Sequence, residues 1–482
     1  MKARGTMNTA EFVPVPSLAP GPSSAPGPPP AQASSFYESA EKIYPREIKG
    51  RFATRRRWMV VLLLGLFYGV AWLNWGGQQM LLFDLPARKF HIFGLTLWPQ
   101  DFVYLALLLI IAALSLFFFT ALAGRVFCGY ACPQTVWTEL FLWIEQWTEG
   151  TRSRRMKLDQ GPWSAEKLLR KGAKQILWLT LAGYTGFTFV GYFMPIRSIG
   201  SELVNLSLGP WALFWIFLYS LATYGNAGYL REQVCKYMCP YARFQSAMFD
   251  KDTLVISYDP ARGEPRGARR RGADPRASGL GDCIDCTLCV QVCPTGIDIR
   301  KGLQYECIAC AACIDACDDV MDKVGSPRGL IRYTTEHAMA GKKTHVARPR
   351  LFVYGTLLTL AASAIAYSLA VRKPLLLDVI RDRNTLYREV HGDWIENAYT
   401  IKVINEDDKP HSYRLQVAGL SQVELAAPSG PIEVAPGTVS NVAVRLQAPA
   451  DAAHGVHAIT LRITALDAPN IVRTEKTRFI GP

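Results

Sequence analysis

Residues 283–294 read "CIDCTLCVQVCP", which places Cys283, Cys286, Cys289 and Cys293 at the spacing C-x2-C-x2-C-x3-C-P. A second run, "CIACAACIDAC" at 307–317, repeats that spacing with Cys307, Cys310, Cys313 and Cys317. Two such runs mark a two-cluster ferredoxin module. Three thiolates two residues apart wrap three corners of one cubane, and the fourth cysteine points away to complete the other cluster. The spacing therefore assigns Cys283, Cys286, Cys289 and Cys317 to one [4Fe-4S] cluster, and Cys307, Cys310, Cys313 and Cys293 to another. Zinc asks for four ligands per ion, usually as two well-separated pairs, and fits this pattern poorly. One departure is that Asp318, not proline, follows Cys317.

All 12 cysteines lie in short-spaced motifs, which suits metal ligation better than a disulfide framework. The remaining four form two pairs, in "VFCGYACPQTVW" (126–137) and "QVCKYMCPYARF" (233–244). A shift of 107 residues (235 − 128) carries Cys128 and Cys132 onto Cys235 and Cys239, Tyr130 onto Tyr237, and Pro133 onto Pro240. Each copy ends a two-helix unit, the signature of a duplicated hairpin. The C-x3-C spacing predicts both sulfurs on one helical face, one turn apart, and the pseudo-symmetry predicts that the four thiols meet. Soft thiolates favour Cu(I), zinc or iron–sulfur clusters. The bland alternative is small buried cysteines in helix packing; repetition, with proline after each second cysteine, favours metal or redox work. The spacing leaves the metal open.

The chain has 482 residues, half of them hydrophobic, and a net charge of +13, too long for one ordinary domain. Its apolar residues cluster into five candidate spanning helices at 58–75, 102–123, 176–194, 210–224 and 351–371, each near the ~20 residues a bilayer requires. Tilt accommodates the short fourth, and tryptophans near the ends suit interface anchors. Arg51, Arg55, Arg56 and Arg57 put the N-terminus in the cytoplasm, as does the basic loop 152–174 for its own side. Loop 195–209 has only Arg197 and faces out, the arginine-rich 225–350 returns inside, and the last helix carries the C-terminus out. Arg88 and Lys89 are a minor exception. The positive charge thus reads as positive-inside loops, with no basic fold to suggest nucleic acid.

These boundaries divide the chain into a disordered proline-rich tail (1–35), not a cleaved signal peptide; a four-helix transmembrane region (36–250); a linker and ferredoxin domain (251–350); a fifth spanning helix (351–371); and a C-terminal domain (372–482). The linker "DPARGEPRGARRRGADPRASG" (259–279) reads as solvated, with inner-leaflet headgroups as the alternative contact. In the last domain Val442, Val444 and Leu446 alternate with Ala443 and Arg445, and Ile459, Leu461 and Ile463 repeat the pattern. Short alternating strands over about 110 residues predict an immunoglobulin-like β-sandwich. The fold class is a multi-domain membrane protein: helical bundle, ferredoxin-like insert, β-sandwich. No C-x-x-C-H motif and no histidine in a spanning helix argue against haem, and no strand-linked G-x-G-x-x-G argues against a nicotinamide or flavin domain. His454 and His457 read as surface residues.

Together, the "CGYACPQTVW" and "CKYMCPYARF" pairs, the two ferredoxin runs and the opening of the β-domain, "RNTLYREVHGDWIENAYTIKVIN" (383–405), resemble the cytochrome oxidase accessory proteins called CcoG, FixG or RdxA. The resemblance covers nearly everything after about residue 36. It implies assistance in assembling cbb3-type cytochrome c oxidase, by reducing Cu(II) to Cu(I), in a bacterial inner membrane with the β-domain in the periplasm. It implies copper ions, a copper chaperone or oxidase assembly factors, membrane lipid and an unidentified electron donor as partners. Under it, Cys128, Cys132, Cys235 and Cys239 are the catalytic candidates, holding copper or a third cluster. Two alternatives remain: a quinol-linked membrane ferredoxin without a copper role, and a non-enzymatic assembly scaffold.

Overall fold

The structure is a computed structural model that describes residues 42–482 except 269–278, 373, 383–384, 391 and 408. The expected tail at 1–35 and the arginine-rich middle of the linker lie outside the described residues. In chain order the helices are α1 (Arg51–Val70), α2 (Phe102–Ala123), α3 (Val126–Tyr130), α4 (Pro133–Glu149), α5 (Arg152–Gln160), α6 (Ala165–Val190), α7 (Ile196–Val204), α8 (Pro210–Thr223), α9 (Pro240–Ala247), α10 (Ala312–Val324) and α11 (Pro349–Val371), with shorter turns between some of them.

Each expected span corresponds to a helix, but two begin well before their apolar runs. α1 starts at Arg51 because the Asp315 carboxylate accepts from the Phe52 and Ala53 backbone N–H groups at 3.3 and 2.7 Å. A carboxylate at a helix start satisfies orphan donors and meets the positive end of the dipole. Gly50 allows this approach, since a Cβ there would sit 2.2 Å from Asp315 Cγ. The four arginines expected ahead of the helix therefore lie inside its first two turns. Likewise Ser164 caps α6 by accepting from Lys167 N at 3.2 Å, so the basic loop residues become helical. Lys171 and Lys174 then pair with buried Glu149 at 3.0 and 2.9 Å.

By length and composition, α2 and α11 are apolar enough to cross a membrane. α1 is charged in its first turns, and α8 runs for 14 residues before widening into π-helix over Tyr224–Leu230. α2 and α11 lie antiparallel: Tyr104 meets Ser368 at 2.8 Å, and Arg348, just before α11, donates to the Ala121 carbonyl at 2.8 Å. This pair lies between the ferredoxin segment and the C-terminal domain. The ferredoxin segment sits at the Ala121 end, where Leu254 N donates to Leu122 O at 3.2 Å. At the other end Arg372 reaches Asp101 at 2.7 Å and Glu406 of the C-terminal domain at 2.8 Å.

The loop between α1 and α2 folds into a three-stranded antiparallel sheet, β1 (Leu81–Asp84), β2 (Lys89–Ile92) and β3 (Leu95–Leu97). The strands β4 (Val255–Tyr258) and β5 (Ile331–Thr334) pair antiparallel and close the ferredoxin segment. Its core combines Ile256, Ile299, Ile314, Met321 and Leu330 with Cys283 and Cys289.

The C-terminal domain is the expected sandwich. Its strands are β6 (Leu375–Arg381), β7 (Arg388–Val390), β8 (Trp394–Asn405), β9 (His411–Ala418), β10 (Glu424–Ala427), β11 (Ile432–Val434), β12 (Thr438–Pro449), β13 (Val456–Ala465) and β14 (Val472–Ile480). One sheet has the order β10-β12-β8-β6 with β7 also on β8; the other is β11-β9-β13-β14. The alternation read in the sequence is the inward face: Val444, Leu446, Ile459, Leu461 and Ile463 are buried with Tyr399, Tyr413 and Phe479 between the sheets, as sandwich packing requires.

Candidate iron–sulfur and thiol centre

The eight ferredoxin cysteines line two cavities, divided as the spacing predicts. One is bordered by Cys283, Cys286, Cys289 and Cys317 with Tyr258, Leu288, Arg300 and Met321. The other takes Cys293, Cys307, Cys310 and Cys313 with Ile297, Ile299 and Ile308, and touches Cys289. Each encloses about 20 Å³. Non-glycine residues with positive φ shape both loops: Asp285 and Thr287 in the first, Ala309 and Ala311 in the second. These left-handed turns wrap three consecutive thiols around a shared space. Cys286 is exposed, while Cys310 is buried.

The donor set fits iron–sulfur clusters. Burial pushes the Cys289 thiol up to about 11, and Cys307 and Cys317 to about 12. Cys313 lies well above the ordinary thiol range, through burial first and then its neighbours Cys310 and Cys307. Thiolates crowded in a dry site require cationic iron to offset their charge. Among the described residues no three His, Cys, Asp or Glu side chains are grouped to hold a single metal ion; the thiols line cavities instead of meeting at a point.

The C-x3-C-P pairs depart from the expected helical face. α3 ends at Tyr130, and Cys132 is extended (φ −62°, ψ 129°) as the cap of α4. Cys235 lies in a π-helical turn, Val234–Met238, and Cys239 is extended (φ −84°, ψ 108°) ahead of α9. The reason is the proline: Pro133 and Pro240 each occupy the first helical position and force the preceding cysteine out of the α region. The four thiols nonetheless feel one another's charge. Burial raises Cys128 to about 11 against the pull of Arg125, and Cys132 and Cys239 add to the rise. Burial raises Cys235 to about 12, with Cys132, Cys128 and Cys239 all contributing.

This thiol group abuts the second ferredoxin loop. Cys128 shares one buried apolar cluster with Val292, Ile308, Cys310, Ala312 and Ala316. A Cβ on Gly129 would lie 2.7 Å from the Ile308 carbonyl oxygen, so only glycine lets the backbones touch. Tyr333 donates to the Ala309 carbonyl at 2.6 Å from the other side. Around Cys128, its thiol donates to Gln245 Oε1 at 3.2 Å, and Gln245 donates to Thr120 at 3.1 Å. Arg125 donates to the same Gln245 oxygen at 3.2 Å and to the Tyr305 carbonyl. Arg56, read in the sequence only as a topology signal, is paired with Glu139 and lies near Cys310. Sequence reasoning missed Arg125, Gln245 and Arg56. The one available signal was the mismatch inside the repeat, Gly129 against Lys236.

Comparison with known proteins matches three stretches of the chain to family models. Residues 230–336 match a model described as a 4Fe-4S dicluster domain, and residues 105–154, which include Cys128 and Cys132, match a 4Fe-4S binding domain. Residues 365–482 match the "IG-like fold at C-terminal of FixG, putative oxidoreductase". Protein RdxB of Cereibacter sphaeroides is 39% identical over 84% of this chain and 88% of its own. Nitrogen fixation protein FixG of Rhizobium meliloti is 39% identical over 80% of each chain. The crystal structure of a FixG-related protein from Vibrio parahaemolyticus is 35% identical, covering 23% of this chain and 98% of that one, with a TM-score of 0.20.

Proposed function

The chain belongs to the FixG/RdxA family of ferredoxin-type 4Fe-4S proteins with a redox role, and from that premise we propose that it reduces Cu(II) to Cu(I) during assembly of a cbb3-type cytochrome c oxidase. The observation that carries the reading is the direct packing of the Ile308–Ala309 loop on Gly129, which puts Cys310 and Cys128 in one dry cluster. When bound, the two [4Fe-4S] groups supply one-electron transfer.

The chain's own residues divide the remaining work. Val292, Ile308, Ala312 and Ala316 exclude water between the second ferredoxin loop and Cys128. Cys132, Cys235 and Cys239 are half-buried and reachable, so a copper ion arriving as substrate meets soft sulfur, which favours Cu(I) over Cu(II). Each copper takes up one electron. The exposed Cys286 corner is the natural face for the electron donor.

The bilayer setting belongs to the same proposal. α1, α2, α6, α8 and α11 are its five spans, with the ferredoxin segment in the cytoplasm and the β-sandwich in the periplasm of a bacterial inner membrane. In its support, α2 and α11 hold the two soluble parts at opposite ends, and exposed Trp211, Phe214, Trp215 and Phe217 line α8, a patch that water would penalise. Membrane lipid and a copper chaperone or oxidase assembly factor complete the partner set.

The test is Cu(II) reduction by the full-length, anaerobically purified protein with Cys128, Cys132, Cys235 and Cys239 all changed to Ser. We expect loss of reduction with the ferredoxin irons retained. Undiminished reduction would reject the thiol role. An iron count on the parent separates the two forms of the site: about eight atoms mean two clusters, about twelve mean a third on the C-x3-C-P thiols.

A further inference from the structure

Among the described residues, Arg125, Arg155, Arg231 and Arg348 are buried. Three of them have a carboxylate partner. Arg155 and Arg231 share Glu145, and Arg348 pairs with Asp250. Among the described residues Arg125 makes no ion pair with a carboxylate. It is 4% exposed, and its hydrogen bonds go to neutral oxygens, Gln245 Oε1 at 3.2 Å and the Tyr305 carbonyl. A buried guanidinium with no counter-charge costs several kcal/mol, so the fold must place an anion beside it. The candidates within reach are sulfurs. Arg125 and the Cys128 thiol both donate to Gln245 Oε1, each at 3.2 Å, and Tyr305, whose carbonyl Arg125 also meets, lies two residues before Cys307. Gln245 is fully buried and ties the two sides together, since its Oε1 takes both the Arg125 and the Cys128 contacts.

We propose that Arg125 is the built-in counter-charge of an anionic thiolate centre formed by Cys128, Cys132, Cys235 and Cys239, and that it sets the reduction potential of that centre while tying it to the second ferredoxin loop. The inference rests on the reading that these four thiols form one redox centre. Arg125 is a positioning residue here, acting through Cys128 and Tyr305. Its positive charge stabilises the reduced, more negative state of whatever the thiols hold, and charge and hydrogen bonds near the sulfurs are established levers on such potentials. The repeat explains why the second pair lacks an equivalent: the residue three before Cys235 is Glu232, an acid.

The experiment uses full-length protein in detergent, purified anaerobically, with an EPR-monitored redox titration and a metal and sulfide count. Cys132→Ser/Cys239→Ser first identifies the signal that belongs to the C-x3-C-P thiols. Arg125→Gln is expected to shift that signal's midpoint to more negative potential and to leave the first ferredoxin site, around Cys286, unmoved. Arg125→Lys keeps the charge and is expected to stay near the parent value. Gln245→Glu, nearly isosteric and so a safeguard against misfolding, sets a carboxylate on the guanidinium and is expected to shift the midpoint the same way. A signal whose midpoint is the same in parent, Arg125→Gln and Gln245→Glu overturns the proposal. If Cys132→Ser/Cys239→Ser has the parent's metal content and spectrum, the underlying four-thiol reading falls instead, and the role of Arg125 falls with it.

Discussion

The two C-x3-C-P segments are near copies in sequence and different objects in three dimensions. Around Cys128 the chain forms a short α-helix, the thiol is buried, and a glycine follows it so that the ferredoxin loop can press on the backbone. Around Cys235 the chain is π-helical, the thiol is half-buried, and a lysine follows it. What the copies share is the proline that holds Cys132 and Cys239 in extended geometry. The repeat thus preserves the placement of four sulfurs, while each flank has been fitted to its own neighbours. Cys128 is packed into the apolar cluster of the second ferredoxin loop; Cys235 borders a cleft that includes Glu232, Arg231 and Arg56 and is closed by the ferredoxin residues Pro294, Thr295 and Ile308.

That asymmetry is open to attack, beginning with the largest effect. Changing Cys310 to Ser should remove roughly four of the eight ferredoxin irons and abolish Cu(II) reduction, because Cys310 belongs to the site packed on Cys128. Iron and sulfide counts check the first part, and a Cu(I) chelator assay the second. Reduction surviving that loss would break the argument that electrons reach the first pair from this loop.

Next, Gly129→Ala should destabilise the docking by about 1–3 kcal/mol, the usual cost of forcing an added methyl into packed atoms. Its counterpart Lys236→Ala should stay within about 0.5 kcal/mol. Denaturant unfolding in detergent, followed by loss of cluster absorbance, measures both. Equal effects at the two positions would mean that the pairs are environmentally equivalent after all.

A smaller effect is expected at Asp315, which lies between two ligand cysteines and caps α1. Asp315→Ala should cost about 0.5–2 kcal/mol and increase protease access at the start of α1. Unchanged cleavage there would show that the remaining contacts, at Gly129, Leu122 and Arg125, hold the ferredoxin segment to the helices without the Asp315 cap.

The smallest effect lies at the far end of the molecule and serves as the control. Burial, opposed by Arg372, holds the Glu406 carboxyl up at about 7. His411 is raised above its usual range: burial works against its charge, and hydrogen bonds to Asp407 and Asp467 outweigh it. Both groups bind protons more tightly folded than unfolded, so stability falls as pH rises. For Glu406 the loss runs from the usual carboxylate range to about 7. For His411 it begins near 6.5 and continues through the raised folded value. The thermal midpoint of the C-terminal domain should therefore decline from pH 5 to 8, and His411→Gln should flatten the upper part of that decline. Cluster content should not change over the same range.

The ferredoxin runs were legible in the sequence because cluster chemistry fixes their spacing: three thiols at two-residue steps have few other uses. The β-sandwich was legible because one face is wet and the other dry, so polarity alternates along each strand. Helix ends were less legible. Asp315 starts α1 from more than 260 residues away in the chain, and no local pattern carries that information. The C-x3-C spacing misled for a nearby reason: helical periodicity was applied across a proline that breaks it.

By itself the sequence determined the two four-cysteine runs of a 4Fe-4S protein, the duplicated thiol pairs, the apolar runs and the alternating strands. These follow from residue type and spacing, which are local. Tertiary structure alone decided that the second ferredoxin loop rests on Gly129, that Cys128 and Cys310 share one dry cluster, and that Arg125 is buried without a carboxylate. Those facts depend on burial and on contacts between segments more than 100 residues apart, where the energy of a charge is set by what surrounds it and not by its place in the chain.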